Sequence, residues 1–142
     1  MKLFLDTSSL VKLYHTETGT EELDKLMLSD SLDEIFLSYI TIIELNSALY
    51  KKVRTKELPT EIAEEILQSF SNDYSNYTFI PVSYQIIFQA KDMVSKYATK
   101  GLRTLDSIQL ASIISLKDSI DYAISADNLL NSIIREEGIK TA

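Results

Sequence analysis

Four carboxylates of this chain stand where a carboxylate is costly. Asp6 closes the apolar run Leu3-Phe4-Leu5, and Asp127 lies just past Tyr122-Ala123-Ile124. Glu44 interrupts Thr41-Ile42-Ile43-Glu44-Leu45, and Asp106 lies near the start of the most apolar stretch of the chain. Burying an unpaired carboxylate costs several kcal/mol or forces it to take up a proton. No matching set of Lys or Arg residues occupies those apolar surroundings. A bound divalent cation would answer all four charges at once. Each residue also has a plainer reading: Asp6 and Asp127 suit helix N-caps, Asp106 suits the positive end of a helix, and Glu44 suits an exposed helical position. Two at strand ends and two on apolar helices, taken together, favour a shared site.

The elements that must position them follow from hydrophobic period and from start and stop signals. Residues 2–6 read as a strand buried on both faces. A helix follows at once, with Asp6-Thr7-Ser8-Ser9 offering cap oxygens before Leu10, Val11, Leu13 and Tyr14. A short helix is expected over 20–28, a strand over 35–38, a helix over 41–56 and another after Pro59-Thr60. A strand over 78–82, a helix over 84–97, a break at Gly101 and a helix over 102–116 come next. A strand at 122–125, a helix at 128–136 and an edge strand starting at Ile139 complete the chain. This alternation predicts one α/β domain over 1–142, a three-layer α/β/α arrangement with a mainly parallel central sheet. In such a sheet the functional crevice lies beyond the carboxyl ends of the strands, where Asp6 and Asp127 stand.

The chain has 142 residues with 45% hydrophobic and 25% charged, the mixture of a soluble globular protein. It has no cysteine, which excludes thiol catalysis, disulfides and cysteine metal sites. No apolar run approaches the roughly 20 residues that span a bilayer, and no signal-peptide pattern opens the sequence, so a cytoplasmic protein is expected. A net charge of -7 argues against a uniformly basic nucleic-acid surface. Eight of the 14 basic residues nevertheless lie in two stretches, Lys51, Lys52, Arg54 and Lys56, then Lys91, Lys96, Lys100 and Arg103. They can form a local basic rim or only solvated helix faces. His15 is the single histidine.

Four segments resemble, in order and over nearly the whole chain, the motifs of PIN domains and of VapC-type toxins in particular. Leu3-Phe4-Leu5-Asp6-Thr7-Ser8-Ser9-Leu10 is similar to the opening motif, and Ser38-Tyr39-Ile40-Thr41-Ile42-Ile43-Glu44-Leu45 to the second. Leu102-Arg103-Thr104-Leu105-Asp106-Ser107-Ile108-Gln109-Leu110-Ala111 resembles the third, and Ile124-Ser125-Ala126-Asp127-Asn128 the fourth. The sequence departs from the pattern at Gln109, where many relatives carry His, and at Ser125, where Thr is usual.

The resemblance implies a PIN fold with Asp6, Glu44, Asp106 and Asp127 around Mg²⁺ or Mn²⁺, and hydrolysis of RNA phosphodiester bonds by an activated water. Asp6 and Asp106 would be the closest ligands, with Glu44 and Asp127 acting partly through water. Ser8 would bond a metal-bound water or simply cap its helix. Lys51, Lys52, Arg54 and Arg103 would grip flanking phosphates. Partners implied are RNA, a small antitoxin protein and a second copy of the chain in a homodimer. Leu10, Leu13, Tyr14, Leu23, Leu26 and Met27 offer either a groove for the antitoxin or ordinary core faces. The main rival is a PIN-like binding or scaffold module, which would lack one of the four acidic residues. A receiver-type phospho-acceptor needs an acidic pair at the N-terminus, and an Asp-x-Asp phosphatase needs Asp at Ser8; neither pattern is present.

Overall fold

The parallel sheet begins with β1 (Lys2–Leu5), whose Leu3, Phe4 and Leu5 are fully buried. A strand apolar on both faces can be covered only from both sides, as helical crossovers do. The computed structural model describes residues 1–15 and 20–142, and among these it places three further strands, β2 (Glu34–Ser38), β3 (Thr78–Ile80) and β4 (Tyr122–Ile124). Their order is β3-β2-β1-β4 and every pairing is parallel, with Phe4 opposite Phe36 on one side and Ala123 on the other.

Alternation along the strands sorts the helices into two layers. Leu3, Leu5, Ile35 and Leu37 point to one face and pack with α1 (Thr7–Tyr14), α2 (Thr20–Met27), α3 (Ile40–Arg54) and α4 (Thr60–Asn72). Phe4, Phe36 and Ala123 point to the other and pack with α5 (Tyr84–Lys96), α6 (Thr104–Ser115) and α7 (Asn128–Glu136). Truncating a fully buried residue such as Phe4 to Ala would cost about 3–5 kcal/mol. The expected three-layer α/β fold is therefore present, with a sheet that is wholly parallel.

The chain steps outward from β1 to β2 to β3, then returns across β1 to β4. Right-handed crossovers force the helices onto the opposite face when that direction reverses. The reversal creates a crevice between the carboxyl ends of β1 and β4. Asp6 and Asp127 follow directly from those two strands.

Two expectations need correction. Ile139 starts no edge strand: Gly138, at φ +78°, turns the chain out of α7, and Ile139 is buried in the second core. What remains there is one parallel bridge between Ala123 and Thr141, with Ala123 N–H donating to Lys140 O at 2.9 Å. β3 ends at Ile80 rather than at residue 82, because Pro81 has no N–H to give to a ladder. Of the apolar residues given two readings above, Leu10 and Leu23 are core residues, and Leu13, Tyr14, Leu26 and Met27 are partly buried against the same cluster.

Candidate active site

Asp6 is where strand becomes helix. Its N–H still bonds Ile124 O in β4 at 3.1 Å, while its carboxylate caps α1 by accepting from Ser9 N at 2.9 Å. Ser8 Oγ donates to the same carboxylate at 2.7 Å, and Ser125 Oγ donates to it from the end of β4. Asp6 is thus a helix cap whose carboxylate also gathers the hydroxyls of Ser8 and Ser125. The hydroxyl of Ser8 has a single hydrogen, so three donors meet roughly four acceptor positions on the carboxylate. Asp6 is only 4% exposed, and burial raises its pKa above the ordinary carboxylate value against the pull of these hydrogen bonds.

The other three carboxylates arrive from three different elements. Asp127 caps α7 by accepting from Leu130 N at 3.0 Å, and its own N–H donates to Ser125 Oγ at 3.0 Å. Ser125 thereby joins Asp127 to Asp6. Glu44, in the second turn of α3, is half-buried; its Oε1 accepts from Gln109 Nε2 at 2.8 Å and from Thr7 Oγ1 at 3.1 Å. Burial raises the Glu44 pKa, the two hydrogen bonds oppose the rise, and the charges of Asp106 and Asp6 add to it. Asp106, in the first turn of α6, is raised by burial and then by the charge of Asp127, and is relieved by Arg103 Nε at 3.6 Å. Arg103 is itself 82% exposed, so this pair is heavily screened.

Asp6, Glu44, Asp106 and Asp127 line one cavity of about 480 Å³, together with Thr7, Ser8, Gln109, Lys51 and Arg103. Ile43 and Leu105, both exposed, form apolar parts of its wall. Of the basic residues singled out in the sequence, Lys51 and Arg103 are on the lining; Lys52 and Arg54 are not. Two residues of the second basic stretch are answered elsewhere: Lys96 pairs with Glu137 at 2.7 Å and Lys100 pairs with Glu136. Ser8 gives its hydrogen to Asp6 and accepts from Ala126 N at 3.0 Å, so it fastens Asp6 to the β4–α7 connection. His15 caps the end of α1 and does not line the cavity.

Among the described residues no three Asp, Glu, His or Cys side chains form a ready-made cage for an ion. The donor set nevertheless fits a hard divalent cation. It is all oxygen, partly buried and self-repelling, and Mg²⁺ keeps several of its waters rather than demanding a complete protein shell. Thr7, Thr41, Gln109 and Ser125 were not singled out by sequence as supports for these acids. The signals were present but faint: Gln109 is the one amide in an apolar helix and follows Asp106 by one turn, and Ser125 precedes Asp127 by two residues.

Comparison with known proteins agrees with this fold. The family model described as PIN domain matches residues 3–134. No curated protein matches the chain significantly. Among solved structures, the chain is similar to FitAcB from Neisseria gonorrhoeae, with TM-score 0.68, 16% identity, and coverage of 98% of this chain and 95% of that one. It is similar to VapC20 of Mycobacterium tuberculosis, described as a sarcin-ricin loop cleaving toxin, with TM-score 0.67, 14% identity, and coverage of 92% and 94%. It is also similar to VapBC-1 from nontypeable Haemophilus influenzae, with TM-score 0.66, 14% identity, and coverage of 100% and 97%.

Proposed function

The chain belongs to the PIN-domain family, and on that premise we propose that it is a metal-dependent ribonuclease, the toxin of a toxin–antitoxin pair acting in the cytoplasm. One observation carries the reading: four carboxylates from four separate elements line a single cavity at the switch point of the sheet, three of them with raised pKa values. Mere caps would have no reason to share a cavity, and charges arranged only for stability would be paired. RNA as substrate and an antitoxin as partner are supported by the toxins and toxin–antitoxin complexes of the same fold.

Asp6, Glu44, Asp106 and Asp127 would hold Mg²⁺ or Mn²⁺. Bound there, the cation supplies counter-charge and Lewis-acid polarisation of the scissile phosphate for attack by water. Asp6 is held in place by three donors before any ligand arrives, so little reorganisation is required of it. Arg103 and Lys51 stand on the wall to bind the phosphates flanking the scissile bond, and Ile43 and Leu105 restrict water access from the sides. Lys52 and Arg54, further from the cavity, would add only long-range attraction. A homodimer belongs to the same proposal, and its test is the mass in solution by light scattering.

The decisive assay is cleavage of a mixed RNA pool in Mg²⁺ or Mn²⁺ by wild type and by Asp6→Asn, with an EDTA control. Cutting that needs the metal and is lost in Asp6→Asn supports the reading. Absence of cutting by folded, partner-free wild type in either metal favours a binding module instead.

A further inference from the structure

Gln109 is 2% exposed and lies on the most thoroughly buried stretch of α6, where an amide is an expensive choice. Its Nε2 stands 2.8 Å from Glu44 Oε1, 3.0 Å from Thr41 Oγ1 and 3.1 Å from Thr7 Oγ1. An amide nitrogen has two hydrogens, so it serves two of these acceptors at a time. The bond to the carboxylate is charge-assisted and takes precedence over the bonds to neutral hydroxyls. Thr7 Oγ1, at 3.1 Å, gives Glu44 its other donor.

The far end of the same amide gives the orientation away. Gln109 Oε1 is buried and accepts no hydrogen bond from any of the described residues. Buried polar atoms are nearly always satisfied, and an exception requires a reason. Turning the amide over would put its oxygen against Glu44 and set two acceptors face to face. The nitrogen is therefore locked toward Glu44 while the oxygen is left without a partner.

We propose that Gln109 is a positioning residue for the metal site, holding Glu44 at a fixed place and tying α3 and the start of α1 to the helix that carries Asp106. This rests on the metal-dependent reading of the site given above. Gln109 touches neither substrate nor cation in this role. It acts by removing freedom from Glu44, whose side chain would otherwise be driven outward by Asp6 and Asp106.

The test uses Gln109→Met, which keeps the length and loses both donors, and Gln109→His, which keeps an N–H donor in a similar place. Four quantities are measured for each: Mn²⁺ affinity by calorimetry, kcat and KM for RNA cleavage, and the melting temperature of the metal-free protein. Gln109→Met is expected to bind Mn²⁺ about tenfold more weakly and to lose kcat in similar measure, because removal of outer partners of metal ligands commonly costs 10–100-fold. KM for RNA should hardly move, a fall in the metal-free melting temperature would report only the lost buried bonds, and Gln109→His should recover most of the loss in Mn²⁺ affinity. Wild-type affinity and kcat in Gln109→Met overturn the proposal, as does a Gln109→His variant no better than Gln109→Met. Should Gln109→Met not fold, Gln109→Asn keeps the amide but shortens its reach to Glu44 and decides by the same Mn²⁺ titration, a weakened affinity supporting the proposal and an unchanged one overturning it. If wild type itself neither binds Mn²⁺ nor cleaves, the metal-dependent reading has failed rather than the role of Gln109.

Discussion

The two ends of the sheet carry the same residue types and treat them in opposite ways. At the amino end, the N-terminal amine pairs with Asp33, Lys2 Nζ pairs with Glu34 at 3.2 Å, and Lys2 N–H donates to Asp121 Oδ2 at 2.7 Å. The amine beside Asp33 holds its pKa below the ordinary value, and the hydroxyl of Thr78, then Lys2, does the same for Glu34. At the carboxyl end Asp6, Glu44 and Asp106 are held above the ordinary value by burial, and Glu44 and Asp106 are pushed further by neighbouring acids. Acids that serve the fold are given cations. On the proposed reading, acids left to repel one another inside a cavity await a ligand that supplies the charge.

The contrast breaks most visibly at Asp6. Asp6→Asn should lower RNA cleavage about a thousandfold, equivalent to about 4 kcal/mol of transition-state stabilisation, in a gel assay under saturating Mn²⁺. A residual rate within tenfold of wild type would reduce Asp6 to a helix cap. The next largest effect is expected on the cavity wall. Lys51→Ala with Arg103→Ala should raise KM about tenfold at low salt, with the difference shrinking as salt is added. A salt-independent loss would mean that these residues do something other than bind phosphate.

A smaller effect sharpens the comparison through pH. The raised pKa of Glu44 means that the folded chain binds this proton more readily than the unfolded chain. The associated stability is full below the ordinary value of 4.5 and is lost as pH rises through the folded pKa. At neutral pH without metal Glu44 therefore weakens the fold relative to acid pH. Glu44→Gln should melt above wild type at neutral pH in EDTA, and the gap should close as pH falls toward 4.5. A gap that widens in that direction contradicts the assigned cause. Glu34 has the opposite sign: its stabilisation is present above the ordinary value and is lost as pH falls through the depressed one. Glu34→Gln should therefore lower the melting temperature only slightly at neutral pH, since exposed pairs are weak, and leave cleavage within about twofold of wild type.

Much of this was legible in the sequence for physical reasons. Leu3, Phe4 and Leu5 announce a strand covered on both faces, and an acid directly after such a strand can only lie at the mouth of the sheet. The helices were readable wherever apolar residues recur on one face, as Ala63, Ile66 and Phe70 do in α4. What escaped depends on partners far apart in the chain. Gln109 meets Glu44 across 65 residues, and no periodicity marks an amide inside an apolar helix. Lys96 and Lys100 are answered by Glu137 and Glu136 across 41 and 36 residues, which a list of charges in order does not reveal. Ile139 has strand-like neighbours, but Gly138 turns it into the core before a ladder can form.

The central claim is that the two acidic ends differ in what they bind. Calorimetric titration of metal-free protein with Mn²⁺ tests it directly, in wild type, Asp6→Asn and Glu34→Gln. The account predicts saturable Mn²⁺ binding that Glu34→Gln retains and Asp6→Asn loses. Binding that survives in Asp6→Asn with wild-type affinity, or that disappears in Glu34→Gln, would contradict it.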